Sequence, residues 1–229
     1  MNVYFILVEP QTPENVGSSA RAIKTMGFTE MRLINPCNHM DKNARKLAYG
    51  SEDILENACV FSSLAEAIKD IDFVIATSAK QRTVKFDHHP STDMLDIIQR
   101  KGSAISSVGI VFGREERGLE NEEIALCQLV TYVPLQLPYP SLNLSQAVML
   151  YAYCLSPLQI SPSQETIKKR DQHEFKSLTE KIIGLLETLD LGKDKLIFNR
   201  ILERIALLNE DDIHILHSIT AKMIEKGKK

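Results

Sequence analysis

The 229-residue sequence has no marked excess of charge of either sign. It holds 27 lysine and arginine residues against 30 aspartate and glutamate residues, a formal net charge of −3. This balance excludes a histone-like polycation that would bind nucleic acid through its total charge. It leaves open a nucleic-acid role for a local basic patch within an acidic total.

Cysteine is scarce and scattered. The four cysteines are Cys37, Cys59, Cys127 and Cys154, and no two of them form a C-x-x-C pair. This spacing argues against a zinc site and against a disulfide framework, and it favours free thiols in a reducing cytoplasm. We expect Cys127 and Cys154 to be small core residues rather than nucleophiles, because the sequence pairs no base with them.

Long hydrophobic runs are missing too. No apolar run approaches the roughly 18 residues that a membrane helix requires. The N-terminal segment has no basic region and meets an acid at Glu9, so a signal peptide is not expected. Hydrophobic residues make up 44% of the chain and charged residues 25%, which is typical of a soluble globular protein with a substantial core. These features predict a cytoplasmic protein with no membrane partner.

The glycine motifs of common nucleotide-binding folds are also missing. The pattern G-x-G-x-x-G occurs nowhere, which counts against a dinucleotide-binding oxidoreductase. The segment from Gly113 to Gly118 has the spacing G-x-x-x-x-G, but no Lys-Ser or Lys-Thr follows it. A phosphate-binding P-loop is therefore excluded at this position.

Strand-length apolar runs alternate with helix-length amphipathic segments through the first two-thirds of the chain. The runs lack polar alternation, which is typical of strands buried on both faces of a parallel sheet. The alternation predicts an α/β fold with right-handed crossovers. The predicted strands are Val3–Val8, Met31–Ile34, Ala58–Phe61, Phe73–Ala76, Val108–Phe112 and Leu129–Val133. The predicted helices are Glu14–Met26, Lys42–Ala48, Ser63–Ile68, Asp93–Arg100, Asn121–Cys127 and Ser145–Leu155.

The last third of the chain has a different character. Two prolines among small polar residues predict a linker at 158–165, between a first domain at 1–157 and an extension at 166–229. The apolar spacing of the extension predicts three helices. Their apolar faces are too few for an independent core, so we expect the extension to pack on the first domain or on a partner subunit. Residues 1–162 are expected to fold without it.

Polar loops follow the predicted strands at the sheet edge where ligands of parallel α/β proteins gather. Each loop alone has an ordinary interpretation as a strand–helix turn with an N-cap residue. Two loops are more elaborate than such turns require, the one after the fifth strand and the proline-rich one after the sixth. The loop residues of interest are Asn15, Gly17, Arg21, 77–82, 113–118 and 141–143.

Three segments in these loops together resemble a known family. They are Asn15-x-Gly-x-x-x-Arg21, Val111-Phe-Gly-Arg-Glu-x-x-Gly118-Leu and Ser141-Leu-Asn143-Leu-Ser-x-Ala147. In order and spacing they resemble the three motifs of the SpoU/TrmH class of SPOUT RNA methyltransferases. The N-terminal detail and the helical extension are most similar to the TrmJ/LasT branch of that class.

The resemblance implies a fold and an activity. The fold is a parallel α/β domain with a C-terminal trefoil knot, an exception to the rule that chains avoid knots. The implied reaction transfers a methyl group from S-adenosylmethionine to a ribose 2′-hydroxyl of tRNA or rRNA, without a metal. The implied assembly is a homodimer whose sites take residues from both chains, and Val148, Met149, Tyr151 and Ala152 offer apolar material for its interface. A catalytically idle RNA-binding homologue is the alternative.

The resemblance also assigns roles to residues. Arginine stays protonated at neutral pH, so Arg21 is expected to stabilise the developing alkoxide and to hold an adjacent RNA phosphate rather than to act as a base. The residues expected to shape the site with it are Asn15, Glu115, Ser141 and Asn143. Those expected to line the cofactor pocket are Thr77, Ser78, Ala79, Gly113, Val133, Ser141 and Leu142.

Two groups of basic residues are further candidates for RNA binding. Lys80 and Arg82 follow the fourth predicted strand and could hold the RNA backbone. Lys168, Lys169 and Arg170 begin the extension, where an RNA-phosphate contact and a solvated helix start are equally compatible with the sequence.

Two pairs of histidines are candidates for metal ligands. His88 and His89 are adjacent, and side chains of adjacent residues point apart, so a surface loop is the favoured interpretation. His214 and His217 share one face of the last predicted helix, where a solvated edge is expected.

Overall fold

A computed structural model describes residues 1–79, 87–137, 141–160 and 173–227. In these ranges seven parallel strands form one sheet in the order β3-β2-β1-β6-β4-β7-β5. The strands are β1 Asn2–Val8, β2 Glu30–Ile34, β3 Cys59–Phe61, β4 Phe73–Thr77, β5 His88–Pro90, β6 Ser107–Phe112 and β7 Leu129–Tyr132. The predicted parallel sheet is confirmed, and all six predicted strands match to within one residue.

Helices cover both faces of the sheet. Within β1, Phe5 and Leu7 face one hydrophobic cluster while Ile6 and Val8 face the other, which explains why this strand has no polar alternation. The first eight helices are α1 Pro13–Thr25, α2 Lys42–Leu47, α3 Glu52–Glu56, α4 Leu64–Ala67, α5 Met94–Gln99, α6 Asn121–Ile124, α7 Leu144–Leu155 and α8 Pro157–Ile160. Three more form the extension: α9 Glu174–Thr188, α10 Lys195–Ala206 and α11 Glu210–Gly227.

The helix α8 occupies the place where the predicted linker begins. Its first residue is Pro157, a position at which a missing backbone N–H costs a helix nothing. Residues 158–160, the first three of the predicted linker, are therefore helical. The remaining linker residues, 161–165, lie outside the described ranges.

The edge strand β5 contradicts the surface loop predicted for His88 and His89. His88 pairs with Val130 and His89 with Thr131 of β7, in parallel register. The extension supports this strand, because the Asp87 backbone N–H donates to Glu203 at 3.1 Å. A three-residue edge strand that contains proline leaves little signal in the sequence.

The extension packs on the sheet domain of its own chain. Phe175 of α9 and Ile205 of α10 belong to the same hydrophobic cluster as Phe5 and Leu7 of β1. Phe175 meets the ring of Phe73 edge-on, with centroids 5.3 Å apart. Because the two parts share one core, the packing argues against the expectation that residues 1–162 fold unchanged without the extension.

A buried lysine joins the two parts. The Lys101 side chain is fully buried, and its Nζ donates to the Ala206 carbonyl at the end of α10 at 2.7 Å. The same ammonium lies 4.5 Å from the ring centroid of Phe73 and 4.3 Å from that of Phe175. Helix-terminal carbonyls and aromatic faces both attract a cation. Burial nevertheless lowers the pKa of Lys101 to about 7.

A buried carboxylate forms a second junction. Asp72 accepts hydrogen bonds from the backbone and hydroxyl groups of Ser106 and Ser107, at 2.8–3.0 Å. Its other oxygen lies 2.6 Å from Nδ1 of His173, at the start of α9. Burial by itself raises the pKa of Asp72, but the hydrogen bonds from His173 and the serines outweigh it and hold that pKa below its usual value.

The two histidines of α11 face α9 rather than solvent. His214 pairs with Glu174, and His217 lies 2.8 Å from Nζ of Lys181. The solvated edge predicted for these histidines is therefore wrong. Their spacing of three residues places both side chains over the neighbouring helix, whose own polar residues meet them.

The four cysteines are free. Cys127 is buried, and burial raises the pKa of its thiol, as expected of a core residue. Cys154 is only half-buried.

Candidate functional site

A cavity of about 340 Å³ opens at the carboxyl ends of β4, β6 and β7, within the range of roughly 300–1,000 Å³ typical of small-molecule sites. Its walls come from the loops after these strands and from α7. Every residue predicted for the cofactor pocket lies on these walls: Thr77, Ser78, Ala79, Gly113, Val133, Ser141 and Leu142. Three loops that are far apart in sequence therefore line one space.

Hydrogen bonds to the neighbouring strands fix the end of β4. The Thr77 hydroxyl donates to the Val111 carbonyl at 3.0 Å, and the Ser78 backbone N–H donates to the Thr131 carbonyl at 2.8 Å. Val111 lies in β6 and Thr131 in β7, the two strands that flank β4. Thr77 and Ser78 thus continue the hydrogen bonding of the sheet into the wall of the cavity.

The loop after β6 folds back on itself. The Arg114 and Gly118 backbones exchange hydrogen bonds at 3.3 and 2.9 Å, and Gly118 has a φ of +71° that favours glycine. A Cβ at Gly113 would overlap the backbone of Gly118 and Leu119. The loop therefore needs Gly113 for its own reversal.

The carboxylate of Glu115 joins this loop to the start of α1. It accepts from the backbone N–H groups of Gln11 and Thr12 at 3.1 and 3.3 Å, and from Nδ2 of Asn15 at 2.9 Å. Asn15 in turn accepts from Nδ2 of Asn143 at 2.8 Å. A carboxylate beside a helix N-terminus is also favoured by the helix dipole. The structure therefore connects three of the predicted site residues in one chain of hydrogen bonds.

Asn143 also begins α7. Its Oδ1 accepts from the Ser145 backbone N–H at 2.9 Å, and Gln146 accepts from the Asn143 backbone at 3.0 Å in a capping box. The ordinary interpretation of this asparagine as an N-cap is thus correct. The same side chain also donates the hydrogen bond to Asn15.

Arg21 is exposed on α1 and is not on the cavity wall formed by the described residues. One turn earlier, a Cβ at Gly17 would overlap the backbone of Ala44, so α2 packs directly against α1 there. The arginine therefore stands on a helix that is fixed on one side by α2 and at its start by Glu115.

Sequence reasoning missed part of the cavity wall. Leu144, Ala147 and Tyr151 line it from one face of α7, at spacings of three and four residues. That spacing was visible in the predicted helix but was not connected to the pocket. Tyr151 and Ala152 are buried within their own chain, as is Val148, so these three residues do not supply the exposed dimer surface expected from the sequence.

The cavity combines apolar walls with charged groups at its rim. Val133, Leu135 and Leu142 contribute apolar surface, while Glu115, Glu116 and two arginines of the same loop bring charges of both signs. This combination suits a ligand that carries an apolar group together with charged groups of both signs. Among the described residues, no cluster of three or more histidine, cysteine or acidic side chains could hold a metal ion.

The five other predicted RNA-binding residues lie outside the described ranges: Lys80, Arg82, Lys168, Lys169 and Arg170. Within the described ranges, none of the helices combines the length and apolar character needed to cross a membrane.

Comparison with known proteins gives two family matches. Residues 2–153 match the SpoU rRNA Methylase family, and residues 172–227 match the C-terminal domain of the tRNA/rRNA methyltransferase LasT. The chain is 39% identical over 219 residues to an uncharacterized tRNA/rRNA methyltransferase LasT of Escherichia coli K12, covering 96% of each chain.

Two further proteins of similar sequence or structure carry the name TrmJ. The tRNA (cytidine/uridine-2′-O-)-methyltransferase TrmJ of Photorhabdus laumondii is 37% identical over 76% of this chain and 72% of that protein. The crystal structure of TrmJ from Z. mobilis ZM4 superposes with a TM-score of 0.66 at 28% identity, over 97% of this chain and 99% of that one.

Proposed function

The chain belongs to the SpoU rRNA methylase family, and from that membership we propose that it methylates a ribose 2′-hydroxyl of tRNA or rRNA with S-adenosylmethionine as donor. The name of the Photorhabdus relative describes this reaction for that protein. The observation that carries the proposal is the hydrogen-bonded chain Glu115–Asn15–Asn143, because it joins all three family motifs beside one cavity.

The cavity fits S-adenosylmethionine in size and in chemistry. Apolar walls suit an adenine ring, the carboxylates of Glu115 and Glu116 suit the sulfonium and the amino group, and Arg117 suits the carboxylate of the donor. When bound, S-adenosylmethionine supplies a methyl group that the sulfonium already activates, so the proposed reaction needs no metal. The residues that would hold it are Thr77, Ser78, Ala79, Gly113, Val133, Ser141 and Leu142.

The acceptor side of the reaction is assigned to Arg21. A ribose hydroxyl is a weak nucleophile, so it must be positioned in line with the methyl group while it loses its proton. The guanidinium of Arg21 would stabilise the resulting negative charge and hold the adjacent RNA phosphate. Glu115 and Asn15 would keep the helix that carries this arginine in register with the cavity.

We propose a homodimer as the active form. In one chain Arg21 is exposed and does not line the cavity formed by the described residues. A site completed by both subunits would bring an arginine of the second copy to the cavity mouth. A trefoil knot in the C-terminal part of the sheet domain and a cytoplasmic location belong to the same proposal.

The proposal is tested by methyl transfer to RNA from cells that lack the gene. The full-length protein should transfer labelled methyl groups from S-adenosylmethionine to total tRNA or rRNA. Mapping of ribose methylation should then show which positions are lost in the deletion strain. Cofactor binding without transfer to any of these RNAs would instead indicate the catalytically idle homologue.

A further inference from the structure

A buried arginine lies beneath the rim of the cavity. Arg114 precedes Glu115 in the loop after β6, yet only 5% of Arg114 is exposed, whereas the side chain of Arg117 in the same loop is 63% exposed. Burial of a guanidinium is unfavourable unless its charge and its hydrogen-bond donors are satisfied. The partners of Arg114 therefore indicate what this residue does.

Two carboxylates from different parts of the chain meet Arg114. Its Nε donates to Oε2 of Glu9 at 2.7 Å. Its two terminal nitrogens donate to the two carboxylate oxygens of Glu123, each at 3.0 Å. Glu9 is the first residue after β1, and Glu123 lies in α6, the helix that follows the loop after β6. One planar guanidinium therefore connects the end of β1 to α6.

Glu9, which accepts from Arg114, has an unusual backbone conformation. Its φ is +44°, in the left-handed region that a residue with a side chain adopts at a cost. The hydrogen bond from Arg114 holds its carboxylate and lowers the pKa of Glu9. Four residues later α1 begins, so the turn at Glu9 sets where the segment that carries Asn15 and Arg21 starts.

The loop that Arg114 supports forms the cavity rim. The Arg114 and Gly118 backbones hydrogen-bond each other, and Glu115, Glu116 and Arg117 between them face the cavity. Arg114 itself holds the base of this reversal, while the next residue, Glu115, reaches out to the start of α1. Two adjacent residues thus fix the loop: Arg114 through its buried ion pairs, and Glu115 through hydrogen bonds to the start of α1.

We propose that Arg114 is a positioning residue, which through Glu9 and Glu123 holds the loop 114–118 in the shape that binds the methyl donor. It need not touch the donor or the RNA. The inference rests on the proposed function for the identity of the ligand. Lysine cannot replace Arg114 here, because one ammonium cannot serve a carboxylate in bidentate fashion and a second one from another direction.

The test measures donor binding in the variant R114K. By calorimetry, well below the thermal midpoint of the variant, the Kd for S-adenosylmethionine should rise about tenfold or more, with a parallel rise in KM. E123Q keeps the ion pair between Arg114 and Glu9 but removes the negative charge that faces the terminal nitrogens of Arg114. The Kd of E123Q for S-adenosylmethionine should therefore rise by a smaller factor than that of R114K. The variant R100K is the matched control, because Arg100 forms an exposed ion pair with Asp96 on α5.

The outcomes separate this inference from the proposed function. A wild-type protein that does not bind S-adenosylmethionine would refute the proposed function. Wild-type Kd and KM in a folded R114K, with only a lowered thermal midpoint, would overturn the positioning role and leave the proposed function standing. If R114K does not fold, E123Q decides, and an unchanged Kd in E123Q overturns the inference.

Discussion

The side chain of Asn143 donates a hydrogen bond to Oδ1 of Asn15 at 2.8 Å, across 128 residues of sequence. Asn143 caps α7 and Asn15 lies in the first turn of α1, so this contact fixes the starts of two helices against each other. This amide pair and Glu115 behind it therefore add a polar connection to the packing of α1 on α2 and α7, which sets the position of the proposed catalytic helix relative to the cavity wall.

Replacement of Arg21 should separate chemistry from donor binding. We expect Arg21→Ala to lower kcat for RNA methylation at least about 100-fold, because the developing negative charge loses its partner. The Kd for S-adenosylmethionine should stay within about twofold of wild type, since Arg21 is not on the cavity wall of the described residues. Rates with labelled donor and calorimetry check both values. Equal losses in both would refute this role for Arg21.

Two substitutions of Asn143 should separate its two contacts. Asn143→Asp keeps an oxygen that caps α7 but loses the donor to Asn15, so activity should fall while the thermal midpoint changes little. Asn143→Ala loses both contacts and should also destabilise the protein by about 0.5–2 kcal/mol. Thermal unfolding and methyl-transfer rates distinguish the two. Full activity in Asn143→Asp would show that the contact to Asn15 is dispensable.

The junction at Asp72 should weaken in acid. Hydrogen bonds from His173 and the serines lower the pKa of Asp72 in the folded protein. Its contribution to stability is therefore present above its unfolded pKa and is lost as the pH falls through the lower, folded value. Denaturant unfolding from pH 7 downward should show wild type and Asp72→Asn converging. A constant difference between the two would contradict the assignment.

Lys101 should give a pH dependence of the same sign in a higher pH range. Its pKa is about 7 in the folded protein and about 10.5, the ordinary value for lysine, in the unfolded one, so the unfolded state binds more protons between these values. Stability should therefore rise with pH in this interval, at up to about 1.4 kcal/mol per unit. In Lys101→Met that rise should be absent. Parallel curves for the two proteins between pH 7 and 9 would refute the prediction.

Removal of the extension should affect the fold and not only RNA binding. A chain ending at residue 162 would leave Lys101 without the Ala206 carbonyl and Phe73 without Phe175. We expect the truncated chain to unfold at a clearly lower temperature and to lose affinity for S-adenosylmethionine. Circular dichroism and calorimetry check this. A truncated chain as stable as the full one would show that the shared core is dispensable.

Much of the fold could be predicted from the sequence, because buried parallel strands are continuous apolar runs. The loops that line the cavity could also be predicted to lie together, since they follow β4, β6 and β7 at one edge of the sheet. The edge strand at His88 could not be predicted, because backbone pairing and Asp87 hold it. The burial of Lys101 and Arg114 was equally invisible. Each depends on one partner that is 105 residues away, the Ala206 carbonyl for Lys101 and Glu9 for Arg114, and local patterns do not contain such a contact.

The shared core also has a consequence for synthesis of the protein. At about 5–20 residues per second, a ribosome needs several seconds to make α9, α10 and α11 after the seven strands are complete. During this interval Phe73 and Lys101 lack their partners, so the nascent sheet domain exposes an apolar face with a cation at its centre. We expect chaperones to bind this intermediate on the ribosome, and the chain to become fully protected only after its last helix has emerged.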